Sequence, residues 1–337
     1  MSYGPKHCTR RQNGLIGPSH IPVNGGHDLS LKGRDIVAIN DLSLEEIEKI
    51  LDVAREMVPI ARGEKRSKLL EGRVLGSLFL EPSTRTRLSF ESAMHRLGGD
   101  VITIAGQEGT SLMKGETLAD TVRMAEAYSD VIALRHPKEG AARLSSTFVR
   151  IPVINSGDGA GQHPTQTLLD LFTIREERGE IGKLSVTLVG DLRYGRTAHS
   201  LSLALARFGA EMNFVAPPSI QMPDHIINDI RDLGSDVNIS NDLRDAICST
   251  DVTYVTRIQK ERFATEEEYY EVAGAYKIDM DILENAPSDM IIMHPLPRVD
   301  EIHLEVDSTS HAKYFVQAFN GVPTRMALLY LVLEGSE

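Results

Sequence analysis

The stretch VLGSLFLEPSTRTRLSFESAMHRLGG, residues 74–99, decides the fold. It opens on an almost entirely apolar run, which is typical of a strand that is buried on both faces. Apolar residues at the helical spacing follow the turn: Phe90, Ala93, Met94 and Leu97. A pair of glycines then closes the helix. A buried strand that turns directly into a helix is half of a βαβ unit, so this stretch predicts a parallel sheet.

The same alternation continues on both sides of this stretch. Ser43 and Glu46 have the spacing of a capping box, so we expect a helix to begin there. Further strands are predicted at Val101–Ala105, Val131–Leu134, Val153–Ile154, Val186–Val189, Asn213–Val215, Val252–Val255 and Met290–Met293. Helical stretches lie between most of them. The sequence therefore predicts an α/β fold with two doubly wound parallel-sheet domains joined by long helices.

A predicted long helix, from Pro164 to Arg178, separates the two α/β units, because glycines and a new strand follow it. We place the first domain at residues 31–179 and the second at residues 180–320. The apolar C-terminal helix, residues 321–337, is expected to pack back onto the first domain. Residues 1–30 are rich in Gly, Pro and Asn and are predicted to be a flexible extension.

Composition limits the classes of function. The 337 residues carry 48 Asp+Glu and 36 Lys+Arg, a net charge of −12, which argues against a protein that coats nucleic acid. No apolar run approaches the roughly 20 residues that cross a bilayer. With only Cys8 and Cys248, a disulfide framework and a Cys-based metal cluster are excluded. We expect a cytoplasmic protein with neither a nucleic-acid nor a membrane partner.

The turn after the first strand, Glu81-Pro82-Ser83-Thr84-Arg85-Thr86, is a candidate anion site. Free N–H groups and the helix dipole favour an anion at such a turn. The hydroxyls of Ser83, Thr84 and Thr86 add donors, and the guanidinium of Arg85 suits bidentate contact with phosphate. The alternative is that Ser83 or Thr84 only caps the helix and Arg85 is solvated. The turn by itself leaves both interpretations open.

Four more polar segments follow predicted strands: GQHPTQT (161–167), GDLRYGRT (190–197), TRIQKER (256–262) and HPLPR (294–298). Alone, His163 is best interpreted as a capping or surface histidine, and the last two segments as a charged loop and a Pro-rich turn. The second segment nearly spells the P-loop G-x-x-x-x-G-K-[ST], but Arg196 replaces the Lys. Arg is not equivalent to Lys there, so a carboxylate or phosphate arm is favoured over a nucleotide site.

Considered together, these segments indicate a binding site, because ligands of open α/β sheets bind at the carboxyl ends of the strands. Their shared content is Arg, His, Gln and hydroxyl donors. The sequence offers no evident nucleophile–base pair, metal-ligand cluster or complete dinucleotide motif. The residues therefore predict binding of small anions without a metal or cofactor.

Several motifs resemble those of the carbamoyltransferases: Ser83-Thr84-Arg85-Thr86-Arg87, His163-Pro164-x-Gln166 and His294-x-Leu296-Pro297. Longer segments resemble the aspartate branch of the aspartate/ornithine carbamoyltransferase family: 111–117, 135–137, 190–200, 256–262 and 294–302. The likeness runs from about Leu31 to the last helix. Departures are Met113, beside Lys114 where the familiar pattern has an extra residue, and Arg193, where a Lys is common.

The resemblance implies transfer of a carbamoyl group from carbamoyl phosphate to the amine of L-aspartate, a step of pyrimidine biosynthesis. It assigns carbamoyl phosphate to the first domain and aspartate to the second. No cofactor and no metal are implied. The implied assembly is a catalytic homotrimer with shared active sites, to which regulatory chains could be added in a larger complex.

Residue roles follow from the same resemblance. The catalytic residues would be Arg85, Thr86, Arg135 and His163. Carbamoyl phosphate would be bound by these four together with Ser83, Thr84, Ser111, Lys114, Gln166, Pro295 and Leu296. Aspartate would be bound by Lys114, Arg196, Arg257, Gln259 and Leu296. A neighbouring subunit would supply Ser111 and Lys114, and Glu81 would pair with Arg196 and Arg262.

Three alternatives remain at this point. The ornithine branch of the family would carry a Cys within 294–298, where this chain has Pro295, and the cationic side chains of Arg196, Arg257 and Lys114 would repel ornithine. The second is a nucleotide hydrolase built on the P-loop-like segment, and the third is an anion-binding protein without catalysis.

Overall fold

Two parallel sheets organise the chain. A computed structural model describes residues 30–108, 110–159, 161–258, 263, 265–272 and 274–335. The strands are β1 (Val74–Phe79), β2 (Asp100–Ala105), β3 (Val131–His136), β4 (Val153–Asp158), β5 (Ser185–Val189), β6 (Glu211–Val215), β7 (Val237–Ser240), β8 (Val252–Val255) and β9 (Ile291–Met293). The predicted extension, apart from Ser30, lies outside the described residues.

The order of the strands creates a crevice in each sheet. The first sheet is ordered β2-β1-β3-β4 and the second β7-β6-β5-β8-β9, and the paired strands run parallel throughout. The connections change direction between β1 and β3 and again between β5 and β8. In doubly wound sheets these switch points are where ligands bind. The predicted fold class is confirmed.

Helices cover both sheets. They are α1 (Leu44–Ala61), α2 (Thr84–Arg96), α3 (Leu118–Glu126), α4 (Ala141–Ser146), α5 (Pro164–Arg178), α6 (Arg196–Arg207), α7 (Asp224–Asp232), α8 (Leu243–Ile247), α9 (Glu266–Val272), α10 (Met280–Leu283) and α11 (Tyr314–Leu333). The predicted capping box is confirmed, since Ser43 Oγ accepts from Glu46 N and Glu46 Oε2 accepts from Ser43 N. Ile47, Ile50, Leu51 and Ala54 of α1 are buried.

Two helices connect the halves of the molecule. Helix α5 has the predicted bounds, and Gly179 ends it with φ 83°, a left-handed conformation that favours glycine. It packs against α6 of the second half and against α1 and α11 of the first. Helix α11, the last element of the chain, packs against α1, α2 and α5. Helix α11 therefore packs into the core of the first half, against elements far from it in sequence.

Helix α11 is longer than predicted. It begins at Tyr314, seven residues before the predicted start at residue 321, and contains Pro323. Proline costs a helix one backbone hydrogen bond, so the sequence favoured a helix that starts near it. Here apolar burial along most of the helix outweighs that cost, because Met326, Ala327, Leu328 and Leu329 are fully buried.

The prediction also missed β7, which is short, lies at the edge of the second sheet and has no buried residue. Its apolar residues, Val237 and Ile239, alternate with Asn and Ser over only four positions. No helix in the described residues is both long and apolar enough to cross a membrane.

Candidate active site

A cavity of about 570 Å³ joins the two sheets. Its walls are formed by residues that follow β1 and β3 of the first sheet and β5 and β8 of the second, so both switch points open onto it. Most of the predicted site residues line it: Ser83, Thr84, Arg85, Thr86, Arg135, His163, Gln166, Arg196, Arg257, Pro295 and Leu296. The five polar segments thus meet in one place.

The turn after β1 forms one wall. Ser83 is the N-cap of α2, but within the described chain its hydroxyl makes no capping hydrogen bond, and Thr84 already belongs to the helix. The interpretation of these hydroxyls as simple caps is therefore wrong. Arg85 faces the cavity, and partial burial, followed by the charge of Arg135, lowers its pKa. Burial disfavours the charged guanidinium and Arg135 adds repulsion between like charges, and a bound anion would offset both effects.

Arg135 comes from the end of β3. Its Nη1 donates to the carbonyl oxygen of Ser156 at 3.1 Å, and its Nε lies 3.2 Å from Oε2 of Glu81. Burial lowers the pKa of the guanidinium, and the Glu81 carboxylate opposes that shift. Glu81 was expected to pair with Arg196 and Arg262. The contact with Arg135 was not predicted, and Arg262 lies outside the described residues.

Arginines from both domains pack against one glycine. Gly157, near the end of β4 and with φ 113°, lies so close to both side chains that an added Cβ would be 2.7 Å from Arg135 Nη1 and 3.2 Å from Arg196 Nη2. Arg196 is the first residue of α6 and donates from Nη1 to the carbonyl oxygen of Gly159. The glycine therefore leaves room for two guanidinium groups to approach the same stretch of backbone.

His163 is the N-cap residue of α5, yet in the described chain its ring makes no capping hydrogen bond. The side chain is buried, with Nδ1 3.4 Å from Thr165 Oγ1. Burial, reinforced by the charges of Arg135 and Arg196, holds its pKa well below the ordinary value. The imidazole is therefore neutral at neutral pH, and a neutral ring can polarise a carbonyl without adding charge to the site.

The segment after β9 adopts an unusual backbone that side chains hold in place. Leu296 has φ 57°, a left-handed conformation that costs a non-glycine residue on the order of 1 kcal/mol or more. Its N–H donates to Nδ1 of His294 at 2.7 Å, and Nε2 of that ring lies 2.7 Å from Glu301 Oε1. Burial alone would raise the pKa of Glu301, but hydrogen bonds from His294 and from backbone N–H groups lower it to about 2. The loop is thus fixed before a ligand arrives.

Helix N-termini also contribute to the positive electrostatic potential of the cavity. Helices α2, α5 and α6 all begin at the cavity wall, with Thr84, Gln166 and Arg196 in their first turns. Each N-terminus carries a partial positive charge of roughly half a unit. Together with the arginines, they make this a site for anions.

Three predicted residues are not among the described lining of the cavity. Gln259 lies outside the described residues. Ser111 and Lys114 form an exposed 3₁₀ turn, Ser111–Lys114, and are absent from the described lining of the cavity. Across the described residues, no group of three or more His, Cys, Asp or Glu side chains is placed to hold a metal ion.

Sequence reasoning missed a polar cluster behind the cavity. Asp170 of α5, Tyr254 of β8, and Gln317 and Arg325 of α11 are buried and connected around one carboxylate. The available signal was a carboxylate within an otherwise apolar turn of α5, one turn after Gln166.

Two domain models of one enzyme family match the chain. The carbamoyl-P binding domain of aspartate/ornithine carbamoyltransferase matches residues 34–176, and the Asp/Orn binding domain of the same enzymes matches residues 182–332. The chain belongs to the aspartate/ornithine carbamoyltransferase family. The gap between the two matches lies at the end of α5, where the chain passes from one sheet to the other.

Relatives within this carbamoyltransferase family are similar over most of their length. The chain is 58% identical over 306 residues to an aspartate carbamoyltransferase catalytic subunit from Methanothermobacter thermautotrophicus, covering 90% of this chain and 97% of that one. It is 50% identical to the catalytic subunit of M. jannaschii aspartate transcarbamoylase, with a TM-score of 0.83 and 88% and 97% coverage. The Trypanosoma cruzi aspartate transcarbamoylase in complex with N-(phosphonacetyl)-L-aspartic acid is 39% identical, with a TM-score of 0.85 and 90% and 97% coverage.

Proposed function

We propose that this chain is an aspartate carbamoyltransferase, which transfers the carbamoyl group of carbamoyl phosphate to the amine of L-aspartate. The products are N-carbamoyl-L-aspartate and phosphate, and the reaction belongs to pyrimidine biosynthesis. The observation that carries this function is the convergence of Arg85 and Arg135 from the first domain with Arg196 and Arg257 from the second on one cavity. That arrangement suits two small anions that must react with each other.

Carbamoyl phosphate occupies the first-domain side of the cavity. The hydroxyls of Ser83, Thr84 and Thr86, the free N–H groups of α2 and the guanidinium of Arg85 hold its phosphate. As the bond to the carbamoyl carbon breaks, negative charge grows on the leaving phosphate. Arg85 stabilises that charge because it is already positioned at the cavity wall.

The carbamoyl oxygen is held by Thr86, Arg135 and His163. Negative charge develops on this oxygen when the amine attacks, and each preorganised donor lowers the barrier by roughly 2–4 kcal/mol. His163 performs this role as a neutral donor, consistent with its depressed pKa. Gln166 and the backbone carbonyls around Pro295 and Leu296 hold the carbamoyl NH₂.

L-Aspartate occupies the second-domain side. Arg196, Arg257 and Gln259 bind its two carboxylates, with Leu296 alongside. The same guanidinium groups repel the cationic side chain of ornithine, which selects the amine substrate. Placing two anions side by side in reacting geometry supplies much of the rate enhancement, because water and mutual repulsion oppose it in solution.

The chemical step is a direct displacement. The unprotonated amine of aspartate attacks the carbamoyl carbon, the C–N bond forms and the C–O bond to phosphate breaks. The electron pair of that bond leaves with phosphate, which also accepts the amine proton. No covalent bond to the protein is required.

The active site is shared within a catalytic homotrimer. Ser111 and Lys114 lie on an exposed turn away from the cavity of their own chain, which fits insertion into the cavity of a neighbour. Exposed apolar side chains on neighbouring stretches, Leu88, Ile102, Met113 and Met124, support burial of this region in an interface. Closed cyclic symmetry would give every subunit the same shared site. Regulatory chains in a larger assembly and a cytoplasmic location are part of the same proposal.

A carbamoyl-transfer assay with two amines tests the function. With carbamoyl phosphate as donor, L-aspartate should give N-carbamoyl-L-aspartate and phosphate in equal amounts, and L-ornithine should give no transfer above background. Ornithine as the better substrate would contradict the assignment. Tight binding and hydrolysis of Mg·ATP would instead support a nucleotide hydrolase, and absence of any transfer would leave an anion-binding protein.

A further inference from the structure

The carboxylate of Asp170 organises the buried polar cluster behind the cavity. Oδ1 accepts hydrogen bonds from Nε2 of Gln166 at 2.9 Å and from Nε2 of Gln317 at 2.6 Å. Oδ2 accepts from the hydroxyl of Tyr254 at 2.9 Å. Asp170 has no solvent exposure, so these contacts replace its water shell. The described donors come from α5, α11 and β8, and so from both domains.

The first connection fixes the direction of an amide. Gln166 lines the cavity and is placed by the proposed function against the carbamoyl NH₂. A glutamine side chain can present either its NH₂ or its oxygen to a ligand. Because the carboxylate of Asp170 only accepts hydrogen bonds, it holds the NH₂ of Gln166 and leaves Oε1 available to accept. The carbamoyl NH₂ needs such an acceptor.

The second connection reaches the opposite side of the same ligand group. Gln317 donates to Asp170 and accepts at Oε1 from the backbone N–H of His294, at 2.8 Å. The ring of His294 in turn accepts from Leu296 N at 2.7 Å. The carboxylate therefore also orients Gln317, which fixes the loop that lines the cavity at Pro295 and Leu296. By the proposed function, the backbone carbonyls of this loop accept from the carbamoyl NH₂.

The third connection extends toward the second substrate. Tyr254 donates to Asp170, and the side chain of Thr197, the residue after Arg196 in the first turn of α6, lies close to the same hydroxyl. Both Thr197 and Arg196 line the cavity. Through this hydroxyl, the position of the aspartate-binding helix is coupled to the carboxylate that orients the carbamoyl acceptors.

Burying this carboxylate costs desolvation free energy, which indicates that Asp170 has a functional role. An apolar side chain of similar size would fill the space without loss of hydration. Burial raises the pKa of Asp170 to about 7, whereas the donors and the charge of Arg325 oppose that shift. Arg325 is itself fully buried, and burial lowers its pKa to about 9. The convergence of three donors on two oxygens requires acceptors there, which the ionised carboxylate provides.

We propose that Asp170 is a positioning residue that makes the site selective for a carbamoyl NH₂ group over a methyl group, by orienting the oxygen of Gln166 and the loop at 294–296 as hydrogen-bond acceptors. The proposal rests on the proposed function for the identity of the ligand. It adds that carbamoyl phosphate is distinguished from acyl phosphates such as acetyl phosphate by this buried carboxylate. A site built to bond an N–H group rejects an analogue that lacks it.

Two stable phosphonates test this selectivity by calorimetry. Phosphonoacetamide retains the carbamoyl amide, and acetonylphosphonate has a methyl group in its place. The wild-type chain should bind the amide at least tenfold more tightly. Asp170→Leu should bring that ratio to within about twofold of one, while the affinity for acetonylphosphonate stays nearly unchanged. Asp170→Asn should recover part of the ratio, because its single oxygen can still accept from both glutamines.

A matched control and a second variant keep the test decisive. Thr173 lies one turn further along α5 and accepts from Asn320 of α11 at 3.0 Å, so Thr173→Val removes a buried polar contact between the same helices and should leave the ratio unchanged. If Asp170→Leu does not fold, Gln317→Met should show the same loss of selectivity. An unchanged ratio in folded variants, or equal weakening for both phosphonates, overturns the role of Asp170. Failure of the wild-type chain to bind phosphonoacetamide or to transfer a carbamoyl group would instead overturn the proposed function.

Discussion

Oε2 of Glu81 lies 3.2 Å from Nε of Arg135, yet among the described residues neither atom has a hydrogen-bond partner. The two charges are close without the alignment of a hydrogen bond. Glu81 therefore balances the charge of the site without locking the guanidinium in place. An incoming anion can compete for the same donor.

Replacing this carboxylate should favour anion binding. Glu81→Gln removes one negative charge from a cavity that otherwise carries arginines, so inorganic phosphate should bind several-fold more tightly. Turnover should fall, because the product phosphate leaves more slowly. Calorimetric titration of phosphate measures the first effect and steady-state kinetics the second. The exposed Glu284→Gln serves as the control, and weaker phosphate binding in Glu81→Gln would contradict the expectation.

Arg85 should dominate the chemistry of the phosphate side. Arg85→Ala should lower kcat by about a thousandfold or more, because it removes a donor at the leaving group. Arg85→Lys should be intermediate, since Lys keeps the charge but loses bidentate contact. Arg87→Ala, two residues on in the same helix and outside the described cavity lining, is the control. Turnover within twofold of wild type in Arg85→Ala would exclude the assigned role.

Gly157 should matter more for the positions of Arg135 and Arg196, and hence for activity, than for the stability of the fold. Gly157→Ala places a methyl group where two guanidinium groups lie, so kcat/KM should fall more than tenfold. Gly209→Ala is the matched control, because it also has positive φ but open space around it. Both changes should cost about 1–3 kcal/mol of unfolding free energy through backbone strain. Equal activity in the two variants would show that the arginines tolerate displacement.

Mixing inactive subunits tests the shared site. Lys114→Ala and Arg85→Ala chains should each be inactive as pure assemblies. After dissociation and reassembly of an equal mixture, about a quarter of the sites should combine an intact Arg85 with an intact Lys114 from the neighbour. Activity near that fraction supports the trimer. Activity no greater than that of the pure variants would mean that each chain completes its own site.

His163 should lower stability on the acid side of neutrality. Its pKa in the folded chain lies well below the unfolded value near 6.5, so below that pH the unfolded chain binds a proton that the folded chain does not. The free energy of unfolding should therefore decrease as the pH is lowered, by up to about 1.4 kcal/mol per pH unit for this residue. Denaturant titrations between pH 5 and pH 7 should show a shallower slope for His163→Asn. The exposed His225→Asn is the control, and an unchanged slope in His163→Asn would contradict the expectation.

Much of the fold was predictable because its signals are local. The capping box at Ser43 and the apolar strand that begins at Val74 determine their elements through residues within a few positions of each other. Edge strand β7 has no such signal, since its pairing with β6 depends on residues distant in sequence. Helix α11 contains a proline that local rules treat as a break, and only burial in the assembled core overrides it.

The candidate site divides in the same way. Arg85 and Arg196 were predicted to bind anions because each follows a strand in a recognisable turn, and the positions where strands end define the site. The role of His163 was predicted from the family resemblance, because its turn alone indicated an ordinary capping or surface histidine. Asp170 was missed because its role depends on Gln317, which is 147 residues away in sequence. The carboxylate in an apolar turn of α5 marks a polar residue to be buried, but it does not indicate a partner at that distance in sequence. Only the packing of α11 on α5 brings the two side chains together.

Helix α11 follows the second sheet in sequence but packs on the first domain, which has a consequence for synthesis on the ribosome. Helices α1 and α2 emerge early, but the helix that packs on them, Tyr314–Leu333, follows all strands of the second sheet along the chain. The strands of the second sheet are all available once Met293 has emerged. Domains usually complete their folding in the order of their synthesis. In this chain, the second sheet can assemble while the first domain still lacks α11, so the active site can be completed only after the second sheet has been made.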